Sequence, residues 1–84
     1  MVAINRAIAL AEVQGAQAAL LAMREIGADG RLAEYQPYWA ARAEILARAG
    51  AREEARHAYE MAIALERDPA VRRFLQRRQS SLSP

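Results

Sequence analysis

The chain has 84 residues and a formal net charge of +2, with no cysteine and one histidine, so disulfides, thiolate metal sites and a zinc site built on histidine are excluded. Alanine fills 21 positions and β-branched residues are few, a mixture that favours closely packed helices and offers no strand. No apolar run approaches the roughly 18 to 20 residues needed to span a bilayer, which predicts a soluble, cytoplasmic protein with no membrane partner.

Apolar periodicity predicts five helices and an all-α fold. The first covers about 2–13, with Ile4, Ala7, Ile8 and Ala11 on one stripe and Asn5 and Glu12 on another face. The second covers about 16–26, with Ala16, Ala19, Leu20, Met23 and Ile26 inward. Gly27 is placed to cap its end, and Asp29-Gly30 to turn the chain. The third begins between Glu34 and Pro37, since proline is tolerated in a first turn, and ends before Gly50. Its stripe reads Tyr35, Tyr38, Trp39, Arg42, Leu46 and Ala49. The fourth covers about 52–65, with Ala55, Ala58, Tyr59, Ala62 and Leu65 inward and Glu53, Glu54, Arg56 and Glu60 outward. Asp68-Pro69 reads as the N-cap and first position of the fifth. Val71, Phe74 and Leu75 form its inner face and Arg72, Arg73, Arg77 and Arg78 its wetter one. Residues 80–84 are expected to fray, which leaves one domain over 1–79 and a flexible tail.

Gly15 and Gly50 lie 35 positions apart, and each separates one helical stripe from the next. A turn between antiparallel helices explains both, because a positive φ or a close helix approach excludes a Cβ. Trp39, Gly50, Ala55, Tyr59, Ala62 and Leu65 also stand at offsets 4, 15, 20, 24, 27 and 30 of a tetratricopeptide pattern, a helix-turn-helix unit of about 34 residues. The expected architecture is two such hairpins plus a C-terminal capping helix, a scaffold for binding. Ala43, Ala55 and Ala62 would let the helices of the second hairpin approach closely, and Trp39 and Tyr59 would fill the space between hairpins. Loss of the last helix should expose Tyr59 or Ile63.

The sequence pI of about 9.7 reflects twelve arginines and no lysine rather than a large positive charge. Residues 1–66 carry seven Arg against nine acids, and residues 67–84 carry five Arg against Asp68. The basic character is confined to the last helix and tail.

Nearly the whole chain resembles the C-terminal tetratricopeptide-like extension of a group of bacterial RNA polymerase sigma factors of the extracytoplasmic-function type. The matching pieces are Asn5-Arg6-Ala7-Ile8-Ala9, Ala11-Glu12-Val13 and Gly15, then Tyr35, Arg42-Ala43-Glu44-Ile45-Leu46, Arg48 and Gly50. They continue through Glu54-Ala55, Ala58-Tyr59, Ala62 and Leu65 to Asp68-Pro69, Arg72-Arg73-Phe74-Leu75 and Arg77-Arg78. The resemblance implies a regulatory domain of a transcription initiation factor that acts through protein contacts, with RNA polymerase or a regulator of the sigma factor as partner. Two N-terminal domains that hold polymerase and read the promoter would lie outside this chain, and DNA would be bound only through them. The chain starts where such an extension is expected to start, which predicts a fragment of a longer protein.

Several polar residues are candidates for the partner site. Arg42 lies within an apolar stripe, where an unpaired charge costs several kcal/mol, so it needs a carboxylate, a carbonyl or a ring. Glu12 is the first choice, as an ion pair tying the first helix to the third; a ligand contact or simple snorkelling are the alternatives. Asn5, Glu12, Glu44 and Arg48 fall at or near positions that line the concave groove of tetratricopeptide proteins. Tyr35 and Tyr38, with Trp39, could form an aromatic ledge, although a stripe at this spacing more often belongs to the core. Arg72, Arg73, Arg77 and Arg78 read either as a solvated face that suits a helix C-terminus or as a strip for phosphate or an acidic partner. His57 is expected on the outer face beside Glu53, Arg56 and Glu60, paired with Glu53 four residues back.

No catalytic residue, cofactor or metal is expected: Ser80, Ser81 and Ser83 have no neighbouring base, and Glu53-Glu54 face solvent. The alternatives to a sigma-factor domain are a stand-alone tetratricopeptide-type adaptor and an auxiliary nucleic-acid contact by the basic last helix. An array this short can also form a homodimer through an open hairpin face.

Overall fold

The computed structural model describes residues 2–28 and 30–82, and among these every regular element is an α-helix. They are α1 (Val2–Gln14), α2 (Ala16–Gly27), α3 (Gln36–Arg48), α4 (Arg52–Leu65) and α5 (Pro69–Ser80). The fold is all-α with five helices, as the periodicity predicts. Helix α3 packs most extensively on α4 and α1 on α2, while α2 and α1 both reach α3 and α5 covers α4. None of these helices is long and apolar enough to cross a membrane.

The two glycines 35 residues apart mark turns for the same reason. Gly15 and Gly50 adopt φ of 95° and 82°, which costs an L-residue roughly 1–2 kcal/mol. Nothing lies within 4 Å of a β-carbon at either position, so the backbone angle and not crowding requires glycine. At Gly50 the turn is a Schellman motif: Ala51 N–H donates to the Leu46 carbonyl at 3.0 Å and Gly50 N–H to that of Ala47 at 3.2 Å. Two of the orphan carbonyls of α3 are thereby satisfied.

Gly27 does not cap α2. It is the last residue of that helix, and Ala28 follows with an ordinary right-handed φ of −63°. Linked turns then carry the chain to α3, with Gly30 N–H bonded to the Gly27 carbonyl, Ala33 N–H to Gly30 and Tyr35 N–H to Leu32. Asp29, expected to share this turn, lies outside the described residues. Tyr35 precedes α3 as its N-cap without a side-chain cap bond, and Pro37 sits in the first turn. Helix α5 has the stronger start, since Asp68 Oδ1 accepts from Ala70 N–H at 2.9 Å and Pro69 occupies the first position.

The core joins four faces. Met23, Ile45 and Leu46 are the largest side chains wholly enclosed, and burying one such side chain stabilises by about 1.5–3 kcal/mol. Ala43 of α3 and Ala55, Ala58 and Ala62 of α4 are fully buried, so these two helices meet through small side chains as expected. One expectation for the aromatic residues is corrected. Tyr38, not Trp39, lies between α3 and α2, pressed over Gly27. Trp39, one residue on and therefore about 100° further round the helix, is half-buried; its Nε1 donates to the Ala33 carbonyl at 2.8 Å, and it meets Tyr38 and His57 edge-on.

The expected tail begins at the last residue of helix α5. Helix α5 continues through Ser80, Ser81 Oγ donates to the Arg78 carbonyl at 2.7 Å, and Leu82 packs against the core. Ser83 and Pro84 lie outside the described residues. Leu75 is buried and Gln79 Nε2 donates to the Arg56 carbonyl at 3.1 Å, so α5 holds α4 by apolar and polar contacts together.

Candidate protein-interaction groove

The 35-residue spacing places the same part of α1 and of α3 side by side: position 5 corresponds to 40, 8 to 43 and 12 to 47. Helix α5 then forms a third wall. Between them lies a groove of about 460 Å3, lined by Ile4, Asn5 and Ile8 of α1, Gln36, Pro37, Ala40, Ala41 and Glu44 of α3, Tyr59 of α4, and Phe74, Leu75 and Arg78 of α5. Its floor is apolar, because Ile4, Ala41, Tyr59 and Leu75 are buried. Its rim is mixed, with Asn5, Pro37, Phe74 and Arg78 exposed.

A connected set of charges closes one side. Arg78 Nη2 donates to Glu44 Oε2 at 2.6 Å, and the Tyr59 hydroxyl donates to the same oxygen at 3.3 Å. The other carboxylate oxygen lies 3.4 Å from Arg48 Nε, and Arg48 Nη1 donates to Glu12 Oε1 at 2.8 Å. Glu12, Arg48, Glu44 and Arg78 thus tie α1 to α3 and α3 to α5, and Tyr59 adds α4. Partial burial raises the pKa of Glu44, but the hydrogen bond and charge of Arg78, the charge of Arg48 and the Tyr59 hydroxyl outweigh it and hold the carboxyl below its ordinary value. Burial pushes the Tyr59 phenol up, against the Arg78 hydrogen bond and with the Glu44 charge. Arg78 is raised mainly by its bond to Glu44, and Arg48 mainly by its bond to Glu12.

This arrangement suits recognition of a polypeptide segment. The apolar floor can take side chains of a partner, and the amides of Asn5 and Gln36 offer donors and acceptors for its backbone. No nucleophile stands beside a base among these residues, and no group of three or more potential metal ligands occurs among the described residues.

The sequence-predicted residues divide. Asn5 and Glu44 line the groove, while Glu12 and Arg48 brace its wall. Arg42 is not Glu12's partner and is not in the groove: its Nη1 donates to the Tyr38 hydroxyl at 3.4 Å, and it shares another surface with Trp39, Glu53, Glu54 and His57. Helix geometry explains the difference, since Arg42 stands six residues before Arg48 and therefore about 120° round α3 from it. Tyr35 and Tyr38 form no ledge in the groove; the first caps α3 and the second is buried. His57 meets the edge of Trp39, at 6.0 Å between ring centroids, and is not paired with Glu53.

The four arginines of α5 also separate. Arg78 belongs to the groove, Arg73 and Arg77 line a shallow surface with Gln76 and Ser80, and Arg72 is exposed. Phe74 is a groove residue missed as such by the sequence reading: expected inward, it remains 52% exposed at the rim. Its position four residues before Arg78 was the available signal, because that spacing shares a helix face. Comparison with known protein families, with curated proteins and with solved structures returns no match.

Proposed function

We propose that this chain is the C-terminal regulatory and protein-interaction domain of a bacterial RNA polymerase sigma factor of the extracytoplasmic-function type, binding a segment of a protein partner between α1, α3 and α5. The observation that carries the binding role is the groove itself: an apolar floor beside a wall tied by the Glu44–Arg78 pair. The sigma-factor assignment rests on the resemblance of the pieces from Asn5 to Arg78. The partner is RNA polymerase or a protein that regulates the sigma factor, and promoter reading belongs to domains outside this chain. Binding replaces water over Ile8, Ala40 and Phe74, at about 25 cal/mol per Å2 of apolar surface covered, while the charged wall selects orientation.

The test compares the full-length gene product with versions lacking residues 1–84 or carrying Phe74→Asp, scoring transcription and polymerase capture. Polymerase bound by all versions, with transcription or a defined partner lost in the two altered ones, is the expected result. Absence of polymerase from every sample overturns the sigma-factor reading and leaves a stand-alone adaptor.

A second reading has its own observation. Arg72, Arg73 and Arg77 are exposed and have no ion pair among the described residues, and they could touch phosphate. That contact would weaken steeply with salt and with the three residues changed to Ala.

A further inference from the structure

We infer that the face of α1 and α2 carrying Arg6 and Glu25 pairs two copies of this chain about a two-fold axis, independently of the groove function proposed above. Helices α1 and α2 form a second concavity of about 620 Å3, walled by Leu10 and Val13 on one side and Ala22 and Ile26 on the other. Val13 is 81% exposed there, and Leu21, one turn before Glu25, is 60% exposed. These are the two most exposed large apolar side chains among the described residues.

Charge selects the occupant. Arg6 and Glu25 border this concavity, and neither has an ion pair or hydrogen bond among the described residues. They stand nine residues before and ten after the turn at Gly15, so at about 1.5 Å per residue they lie on nearly the same level of the helix pair. One basic and one acidic group at one level, on opposite helices, make a self-complementary pattern. A two-fold axis running parallel to the helices lays α1 on α2 of the second copy and brings each Arg6 to the other's Glu25. The same rotation turns the two apolar faces toward each other.

Area sets the strength. Two helices of 13 and 12 residues present a face of about 20 Å by 20 Å, or roughly 800 Å2 counted over both copies. Stable interfaces bury about 1,200–2,000 Å2, so the pair is reversible and concentration-dependent.

Sedimentation equilibrium on the 84-residue chain over a concentration series tests this, with circular dichroism to confirm helix content. The expected result is a monomer–dimer equilibrium that weakens roughly tenfold or more in R6E and in E25R, each substitution acting twice by symmetry, and returns to within about threefold of the original in the double reversal. Val13→Asp should abolish it. A chain monomeric throughout, with the face therefore left to some other occupant, overturns the inference. So does a dimer indifferent to the single reversals, or one that the double reversal fails to restore.

Discussion

Tyr38 lies directly over Gly27, and a β-carbon at that position would stand 2.9 Å from Tyr38 Cζ and closer still to its hydroxyl oxygen. Gly27 ends α2 with ordinary helical backbone, where alanine is ordinarily favoured over glycine. Gly27→Ala should nevertheless destabilise by about 1–3 kcal/mol, because the ring has to move or the α2–α3 contact has to open. Urea unfolding checks this. Tyr38→Phe, which removes the closest atom, should recover part of the loss when combined with Gly27→Ala.

Glu44 gives the groove a pH dependence with a defined sign. Its folded pKa is below its unfolded value, so its contribution is complete above the ordinary carboxylate pKa of about 4.3 and is lost as pH falls through the lower folded value. Acid below about pH 4 should therefore loosen the α3–α5 contact before the core opens. Thermal melts between pH 3 and pH 6 should show Glu44→Gln with a shallower acid limb than the parent, by no more than about 1 kcal/mol since the pair is partly exposed.

The arginines of α5 should behave unequally. Arg78→Ala leaves Glu44 with a weaker set of partners and should lower stability by up to about 1 kcal/mol, together with partner affinity. Arg73→Ala, on an exposed face, should change stability by less than about 0.5 kcal/mol. Equal effects in paired chemical-denaturation curves would contradict the assignment of Arg78 to the wall.

Asp68 starts the helix that forms the third wall. Asp68→Ala removes the bond to Ala70 N–H and should cost about 1 kcal/mol. The loss should be concentrated in α5, so hydrogen exchange should quicken there before it does in α3 or α4. Asp68→Asn, which keeps the acceptor, should behave much like the parent.

The elements were legible because their signals are local. Helix α4 occupies 52–65 as its period predicts, Gly15 and Gly50 mark the turns, and Asp68-Pro69 opens α5. Pairings between helices were less legible. A helical period assigns a residue to a face but not to a neighbour, which is why Arg42 rather than Arg48 looked like Glu12's partner. The spacing of Gly15 and Gly50 held the missing information, since it aligns Glu12 with the residue beside Arg48. Two other misplacements share a cause: Tyr38 with Trp39, and Phe74 with Leu75, are adjacent apolar residues of which only one of each pair can point fully inward. Gly27 looked like a cap because helix ends are where glycine is commonest, whereas its use is to admit Tyr38.

The charged wall is assembled from distant parts of the chain: 36 residues separate Glu12 from Arg48, and 34 separate Glu44 from Arg78. During synthesis, Glu44 emerges from the ribosome well before the arginine that will hold it, and the groove has only two of its walls until the last turn of α5 has formed. The groove is therefore completed late, with the final turn of helix, and a chain broken off before Arg78 would carry a helical body whose groove lacks its third wall.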